Sequence, residues 1–519
     1  MPAAQPYKLP IGIQTFSEIR DGSYFYVDKT QQIDKLVNQS KYYFLSRPRR
    51  FGKSLLIDTL DCLFAGRQSL FAGLFIEDRW DWRISHPVIR LSFGSGVMNS
   101  RETLDEHIHE LLNAQTKKLG LSLENTSIAG RFNELIQQAH EHFGQPVVVL
   151  IDEYDKPILD NIRDSSRALD LREGLKNLYS VLKDADPHLR FVMLTGVSKF
   201  SKVSLFSGLN NLRDITLSAD FADICGYTDT DIDTVFAPAI EGLDRSQIRD
   251  WYNGYRWGDH TVPSIYNPFD VLLLLQNREF KPYWFESATP NFLIDLLKQR
   301  GVFTPELDCW ETEYELLSQF DVDQISTEAL MFQSGYLTIH QVREPMVGYW
   351  QYTLGFPNRE VKTSLNHALL PALGVQDGPL QRRHLYDCIK THDLNALEAH
   401  LKALYAALPH DWYRKNTIAQ YEGHYASVFY SHFAALGLDV TVEDASHHGK
   451  VDMTVKFDGH IYLSEFKVVE QLSEGRALEQ IKQKGYADKY RALGQPIHMI
   501  GVEFSSQQRQ IVQFDAQTI

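Results

Sequence analysis

Cysteine is scarce. Cys62, Cys225, Cys309 and Cys388 are the four in 519 residues, and none stands at CxxC spacing to another. That scatter excludes a disulfide scaffold and fits free thiols in a reducing cytoplasm. Long apolar runs are missing too. Val147–Ile151 and Val271–Leu275 fall far short of the ~20 residues a membrane span needs, so no membrane partner is expected. The opening stretch MPAAQPYKLP lacks the charged-then-apolar pattern of a secretory signal. Positive charge is also in deficit, with a formal net charge of −15. Residues 381–519 hold 15 basic against 17 acidic side chains, and the remainder 37 against 50. Phosphate neutralisation drives non-specific nucleic-acid affinity, so a generic polyanion binder is excluded. Any nucleic-acid contact must use a local patch, and the near-neutral C-terminal part is the better place for one.

What remains is ordinary globular composition, 43% hydrophobic and 23% charged. The length predicts about three domains. Repeats and low-complexity segments are absent. Over residues 1–220 short apolar runs alternate with helical patterns: strands at Tyr42–Leu45, Pro87–Phe93, Val147–Ile151 and Arg190–Leu194, and a helix at Ser54–Phe64. Strands alternating with helices predict a parallel sheet with helices on both faces. Residues 221–373 turn mostly helical and aromatic, as a lid or connector, and 374–380 (GVQDGPL) has linker composition. Residues 381–519 close with helix Tyr421–Leu436, strands Val440–Glu443, Val451–Phe457 and His460–Val469, helix Arg476–Leu493 and strand Ile497–Phe504. That is a second α/β domain.

The segment from Phe44 to Ser54 (FLSRPRRFGKS) follows a strand and opens a helix. Its end matches the last three positions of GxxxxGK[ST]. Gly52 lets backbone N–H groups approach phosphate, Lys53 reaches the outer phosphates, and the Ser54 hydroxyl suits Mg²⁺ at a helix N-terminus. The first glycine of the pattern is replaced by Arg47. A GKS triplet alone equally describes an ordinary helix start. The second element is the apolar strand ending in Asp152-Glu153. Asp152 is placed to hold Mg²⁺, and Glu153 to orient or deprotonate the attacking water. Thr195, at the end of a third strand, is a candidate γ-phosphate sensor, though such a threonine also serves as a turn residue. Lys199, Lys202 and Arg213 are candidates for extra positive charge or for plain surface positions.

In the C-terminal domain, Asp458-Gly459 lies between two strand patterns and signals a two-residue hairpin. That turn sets position 452 opposite 465, so Asp452 and Glu465 would stand about 4.5–5.5 Å apart at Cβ on one face. Lys467 follows on the same face. Opposed carboxylates repel unless a cation sits between them, and an oxygen-rich pair suits Mg²⁺ or Mn²⁺. Glu422, on the preceding helix, is a candidate for the same ligand set. Gln480, Lys484 and Tyr486 are candidates for substrate contacts or for a solvated helix face. His447 and His448 are better explained as turn residues than as ligands. A half-exposed hairpin with solvated charges accounts for the same residues without any chemistry.

Several longer blocks stand beside these motifs: LPIGIQTFSEIR and YFYVDKT (within 9–30), FLSRPRRFGKSLL (44–56), VVVLIDEYDKP (147–157), WYNGYRWG (251–258), YNPFDVL (266–272), FQSGYLTIH (332–340), LGFPNREV (354–361), YEGHYASVFY (421–430), then GKVDMTV and LSEFK. On these, nearly the whole chain resembles the bacterial AAA-ATPase-like proteins with a C-terminal PD-(D/E)XK nuclease domain. The resemblance implies a P-loop domain with Lys53, Ser54, Asp152 and Glu153 at the nucleotide; Arg49, Arg50, Gly52 and Thr195 complete the expected ATP-binding set. It makes Arg47 part of the usual loop rather than a decayed glycine. It places Glu422, Asp452, Glu465 and Lys467 on the nuclease motif, with Lys450 where an arginine is more usual.

The expectation is an α/β protein of three parts: a P-loop AAA-like ATPase (1–220), a helical connector (221–373) and a restriction-endonuclease-like domain (381–519). ATP and Mg²⁺ (or Mn²⁺) are the expected cofactors. Nucleic acid is the expected partner, DNA in preference to RNA, and a homo-oligomer is compatible with the sequence. A nucleotide-regulated binding switch that does not cleave is the alternative.

Overall fold

The computed structural model describes residues 7–519 apart from 200–210, 289–290, 301, 315–316, 318–325, 377, 408–417, 448, 471–472, 474 and 509. The chain forms two compact units. One comprises Met1–Ala288 with Glu311–Pro357, the other Thr289–Trp310 with Asn358–Ile519. The stretch 221–373, read from sequence as a connector, is therefore divided between them.

The first unit is built on strands β1 (Tyr42–Ser46), β2 (Val88–Ser92), β3 (Val147–Asp152), β4 (Leu189–Gly196) and the two-residue β5 (Arg213–Asp214). They form one parallel sheet in the order β2-β3-β4-β1-β5. Every residue of β3 is buried, as a central strand with helices on both faces requires. Side-chain caps start the covering helices: Ser127 accepts from the Gly130 N–H, and Asp164 from the Arg167 N–H. Beyond the sheet the unit is helical to Ala288. A three-stranded sheet then follows, β6 (Trp310–Glu313), β7 (Thr338–Met346) and β8 (Tyr349–Gly355), in the order β6-β8-β7. Its β7–β8 hairpin falls in a region whose sequence pattern suggests helix.

The second unit carries β9 (Asp439–Ser446), β10 (Gly449–Phe457), β11 (His460–Val469), β12 (Ile497–Ser505) and β13 (Gln510–Thr518). The order is β13-β12-β11-β10-β9, with β11 and β12 parallel and the remaining pairs antiparallel. Helices Gly378–Lys390, Leu394–Ala406 and Ile418–Ala434 bury their apolar sides against this sheet. Two details differ from the sequence reading. Residues 374–380 are no open linker, because Val375 is core and Gly378 opens a helix. The expected single helix over 476–493 is two, Arg476–Gln483 and Asp488–Arg491. Gly485, at φ 59°, turns the chain out of the helical path between them.

Candidate functional site

The P-loop arises where β1 ends. Gly52 adopts φ 92° and caps the helix Lys53–Phe64, and a Cβ there would meet open space rather than protein. Glycine is therefore required by the left-handed backbone, not by crowding. Lys53 is buried, and its Nζ donates to the carbonyls of Arg47 and Pro48, each at 2.9 Å. The ammonium is thus folded back onto its own loop. Burial lowers its pKa, while Asp152, Asp155 and Glu153 act against that shift. Ser54 sits half-buried in the first helical turn.

Arg47, in the place of the first glycine, does not face the loop interior. It is fully buried and donates to the carbonyls of Ser46, Thr216 and Phe221. Its guanidinium lies 4.2 Å from the Trp257 ring centroid. It anchors the loop to the body of the unit. Arg49 and Arg50 are exposed on the loop. The Arg49 guanidinium is 3.9 Å from Asp160 Oδ1, and that of Arg50 lies over the Phe269 ring.

The parallel register sets Ser92 beside Asp152, Ile151 beside Leu194 and Leu45 beside Thr195. The carboxyl ends of four strands consequently share one edge with the loop. Thr195 Oγ1 donates to Asp152 Oδ1 at 2.7 Å. Glu153 has φ 52° and is half-buried. Burial, then Asp152, raises its pKa. A Cβ on Gly94 would come within 3.2 Å of Glu153 Oε2, so the β2 end flanks that carboxylate. Asp155 was not singled out from sequence. It is buried, and its Oδ2 takes both the Ser198 N–H and hydroxyl at 2.6 Å, fixing the chain after β4. A third acid three residues beyond Asp152, just past the apolar run Val147–Ile151, was the available signal. Lys199 is tied to Asp214 at 2.5 Å, and Arg213 donates to Gln39. Lys202 lies outside the described residues. The Ser54 hydroxyl and the carboxylates of Asp152 and Glu153 are hard oxygen donors, which fits Mg²⁺.

In the second unit, Asp458 (φ 47°) and Gly459 (φ 75°) make the two-residue turn. The pairs run from Phe457↔His460 to Met453↔Ser464, the register read from the sequence. Just beyond the paired ladder, Asp452 Oδ2 accepts the Phe466 N–H at 2.7 Å, which brings its charge to act on Glu465. Glu465 is 1% exposed. Its Oε1 accepts from Gln480 Nε2 and lies 3.4 Å from Lys467 Nζ. Its Oε2 is buried without a hydrogen-bond partner. Burial, and then the Asp452 charge, push its pKa up to about 7. An orphaned carboxylate oxygen beside a second carboxylate fits a divalent cation held by hard oxygens.

The helix Arg476–Gln483 supplies Gln480 because β12 lets it descend. A Cβ on Gly501, the register partner of Glu465, would lie 2.3 Å from the Leu478 N. Glu503, the partner of Lys467, is buried and accepts the Arg476 N–H at 2.7 Å, which caps that helix. An acid inside the apolar strand IHMIGVEFS was the sequence signal for it. Tyr486, a candidate substrate contact from sequence, is buried in the core with Val451 and Ile481. Lys484 is exposed. Lys450 pairs with Glu443 at 2.6 Å on the surface. Glu422 falls in the helix Ile418–Ala434, but its side chain lies outside the described residues. His447 is exposed, and His448 lies outside the description. Among the described residues no helix is long and apolar enough to cross a membrane.

Comparison with known proteins bears on both centres. Residues 10–206 match the family described as "Predicted AAA-ATPase". Residues 420–514 match the PD-(D/E)XK nuclease superfamily. The chain is 57% identical over 515 residues to the "Uncharacterized protein in vnfD 5'region" of Azotobacter chroococcum mcd 1, and the alignment covers 99% of each chain.

Proposed function

Because this chain belongs to the family of predicted AAA-ATPases that carry a PD-(D/E)XK nuclease domain, we propose that it binds and hydrolyses ATP in its first unit and cleaves nucleic acid, DNA in preference to RNA, in its second, with nucleotide state controlling cleavage. The observation that carries the nuclease reading is the partnerless Oε2 of buried Glu465, beside Asp452 and next to Lys467. Asp452 and Glu465 would hold Mg²⁺ or Mn²⁺, with Glu422 as a further candidate ligand. A bound divalent ion there supplies Lewis-acid polarisation of a phosphate and a lowered water pKa. Gln480 orients the Glu465 carboxylate, and Lys467 brings positive charge to the site where anionic oxygen accumulates.

The ATPase reading rests on the shared sheet edge. Arg49, Arg50, Gly52, Lys53 and Ser54 would contact ATP, with Ser54 and Asp152 at Mg²⁺. Glu153 is the group for holding the attacking water, and Thr195 positions Asp152. Lys53 would exchange its two carbonyl acceptors for phosphate oxygens.

A cleavage panel tests the proposal. Single- and double-stranded DNA and RNA are incubated with Mg²⁺ or Mn²⁺, with ATP, with a non-hydrolysable analogue, or with neither. Cleavage that depends on metal, responds to nucleotide and vanishes in Asp452→Ala is the expected result. Nucleic acid bound but never cut under any condition would favour a nucleotide-regulated binding switch.

A further inference from the structure

Three histidines gather at the far end of the second unit's sheet, away from the carboxylates. His460 opens β11 and His498 lies on β12. His392 occupies the turn between helices Gly378–Lys390 and Leu394–Ala406, at φ 53°. Side chains alternate along a strand, so His460 points to the face opposite Glu465, five residues and roughly 16 Å along β11. This cluster is therefore separate from the carboxylate site.

The geometry points to a Zn²⁺-type binding site formed by His392, His460 and His498, which pins the turn between the two helices to the starting ends of β11 and β12. One ring nitrogen from each histidine lies within 4.8 Å of the others, and no second group of three or more such side chains occurs among the described residues. His460 Nδ1 and His498 Nε2 are 2.8 Å apart. Two nitrogens on a tetrahedral zinc, each about 2.0–2.1 Å from it, are separated by roughly 3.3 Å, so that pair needs to open only slightly. Two of the three remaining ring nitrogens have outer partners, as zinc-bound histidines ordinarily do. His498 Nδ1 meets Thr518 Oγ1 at 2.8 Å, and His392 Nδ1 meets the Tyr462 hydroxyl at 2.7 Å. Those contacts leave the Nε2 atoms of His392 and His498 and the Nδ1 of His460 for an ion. The His392 ring is stacked on His460 with centroids 3.4 Å apart, so it must swing edge-on to complete the set. Neutral imidazole is the ligating form, and burial holds His498 down to about 4 and lowers His460 as well. Three nitrogen donors select zinc-like ions over Mg²⁺, which prefers oxygen.

The test uses tag-free, full-length protein, stripped with chelator and dialysed against Zn²⁺, with bound metal then measured. Glu465→Gln serves as the background, to remove uptake at the carboxylates. One equivalent of zinc is expected in that background and should be lost on adding His460→Ala or His392→Gln. The glutamine can still hydrogen-bond to Tyr462, so that variant separates ligation from folding. Zinc should also raise the melting temperature of the background protein and leave that of the His392→Gln double variant unchanged. Equal zinc uptake with and without the histidine substitutions overturns the inference, as does no uptake by the background protein.

Discussion

Lys467 Nζ lies 3.4 Å from Glu465 Oε1, while the other oxygen of that carboxylate is buried with no partner. One cation therefore satisfies half of a buried acid, and the rest of its charge is uncompensated. The Asp452 carboxylate adds repulsion rather than relief. This imbalance appears as a pKa held up to about 7 against an ordinary 4.5.

A raised carboxyl pKa stabilises the fold fully below about 4.5, and the contribution is lost as pH rises through about 7. Metal-free protein should thus lose on the order of 3 kcal/mol across that window relative to Glu465→Gln. Mg²⁺ or Mn²⁺ requires the ionised form, so its affinity should climb with pH up to about 7 and level off above. Denaturant melts of both proteins at several pH values, with and without metal, check this. Parallel pH profiles for wild type and Glu465→Gln would refute the account.

At the nucleotide edge, Lys53 and Glu153 should separate binding from hydrolysis. Lys53→Ala removes the ammonium that would meet phosphate, and ATP affinity should fall at least about tenfold, or about 1.4 kcal/mol. Glu153→Gln keeps shape and hydrogen bonding but cannot take a proton. It should bind ATP normally and hydrolyse it roughly 100-fold or more slowly. Calorimetric titration and phosphate release measure the two. Hydrolysis by Glu153→Gln at the wild-type rate would remove that residue from its role.

Much of this arrangement was legible because local chemistry enforced it. Asp458-Gly459 tolerates the positive φ of a tight turn, and a turn of that length sets the pairs from Phe457↔His460 to Met453↔Ser464. The apolar run Val147–Ile151 could only be a strand covered on both faces. What escaped was decided by distant contacts. The β7–β8 hairpin turns at Val347-Gly348, inside a stretch whose pattern reads as mostly helical. Glu503 looks like an intrusion in an apolar strand until the helix it caps is placed above it. Arg47 looks like a broken glycine pattern until its three carbonyl acceptors are known.

Gly501 offers a way to disturb the carboxylate site without touching a charge. Adding one methyl there forces the helix Arg476–Gln483 away from β12, since Leu478 N would be 2.3 Å from the new Cβ. Gln480 should then lose its hold on Glu465. Gly501→Ala should cost about 1–3 kcal/mol of stability and lower cleavage at least tenfold at a temperature where the protein stays folded. Wild-type cleavage in Gly501→Ala would show that Gln480 does not position Glu465.

Arg47 allows the sharpest contrast between pattern and structure. The GxxxxGK[ST] pattern wants glycine there, so pattern alone predicts that Arg47→Gly improves the loop. The structure predicts the reverse. The guanidinium satisfies three buried carbonyls and covers the Trp257 ring. Glycine would take a donor from each of those oxygens, open a cavity among them and loosen the loop that Lys53 is folded onto. The expected loss is on the order of 3–5 kcal/mol. Arg47→Lys should recover part of it, because an ammonium keeps the charge but lacks the planar fork that reaches all three acceptors. Chemical denaturation of the three proteins ranks them wild type, then lysine, then glycine. If Arg47→Gly were as stable as wild type and bound ATP more tightly, Arg47 would have to be a lost glycine after all.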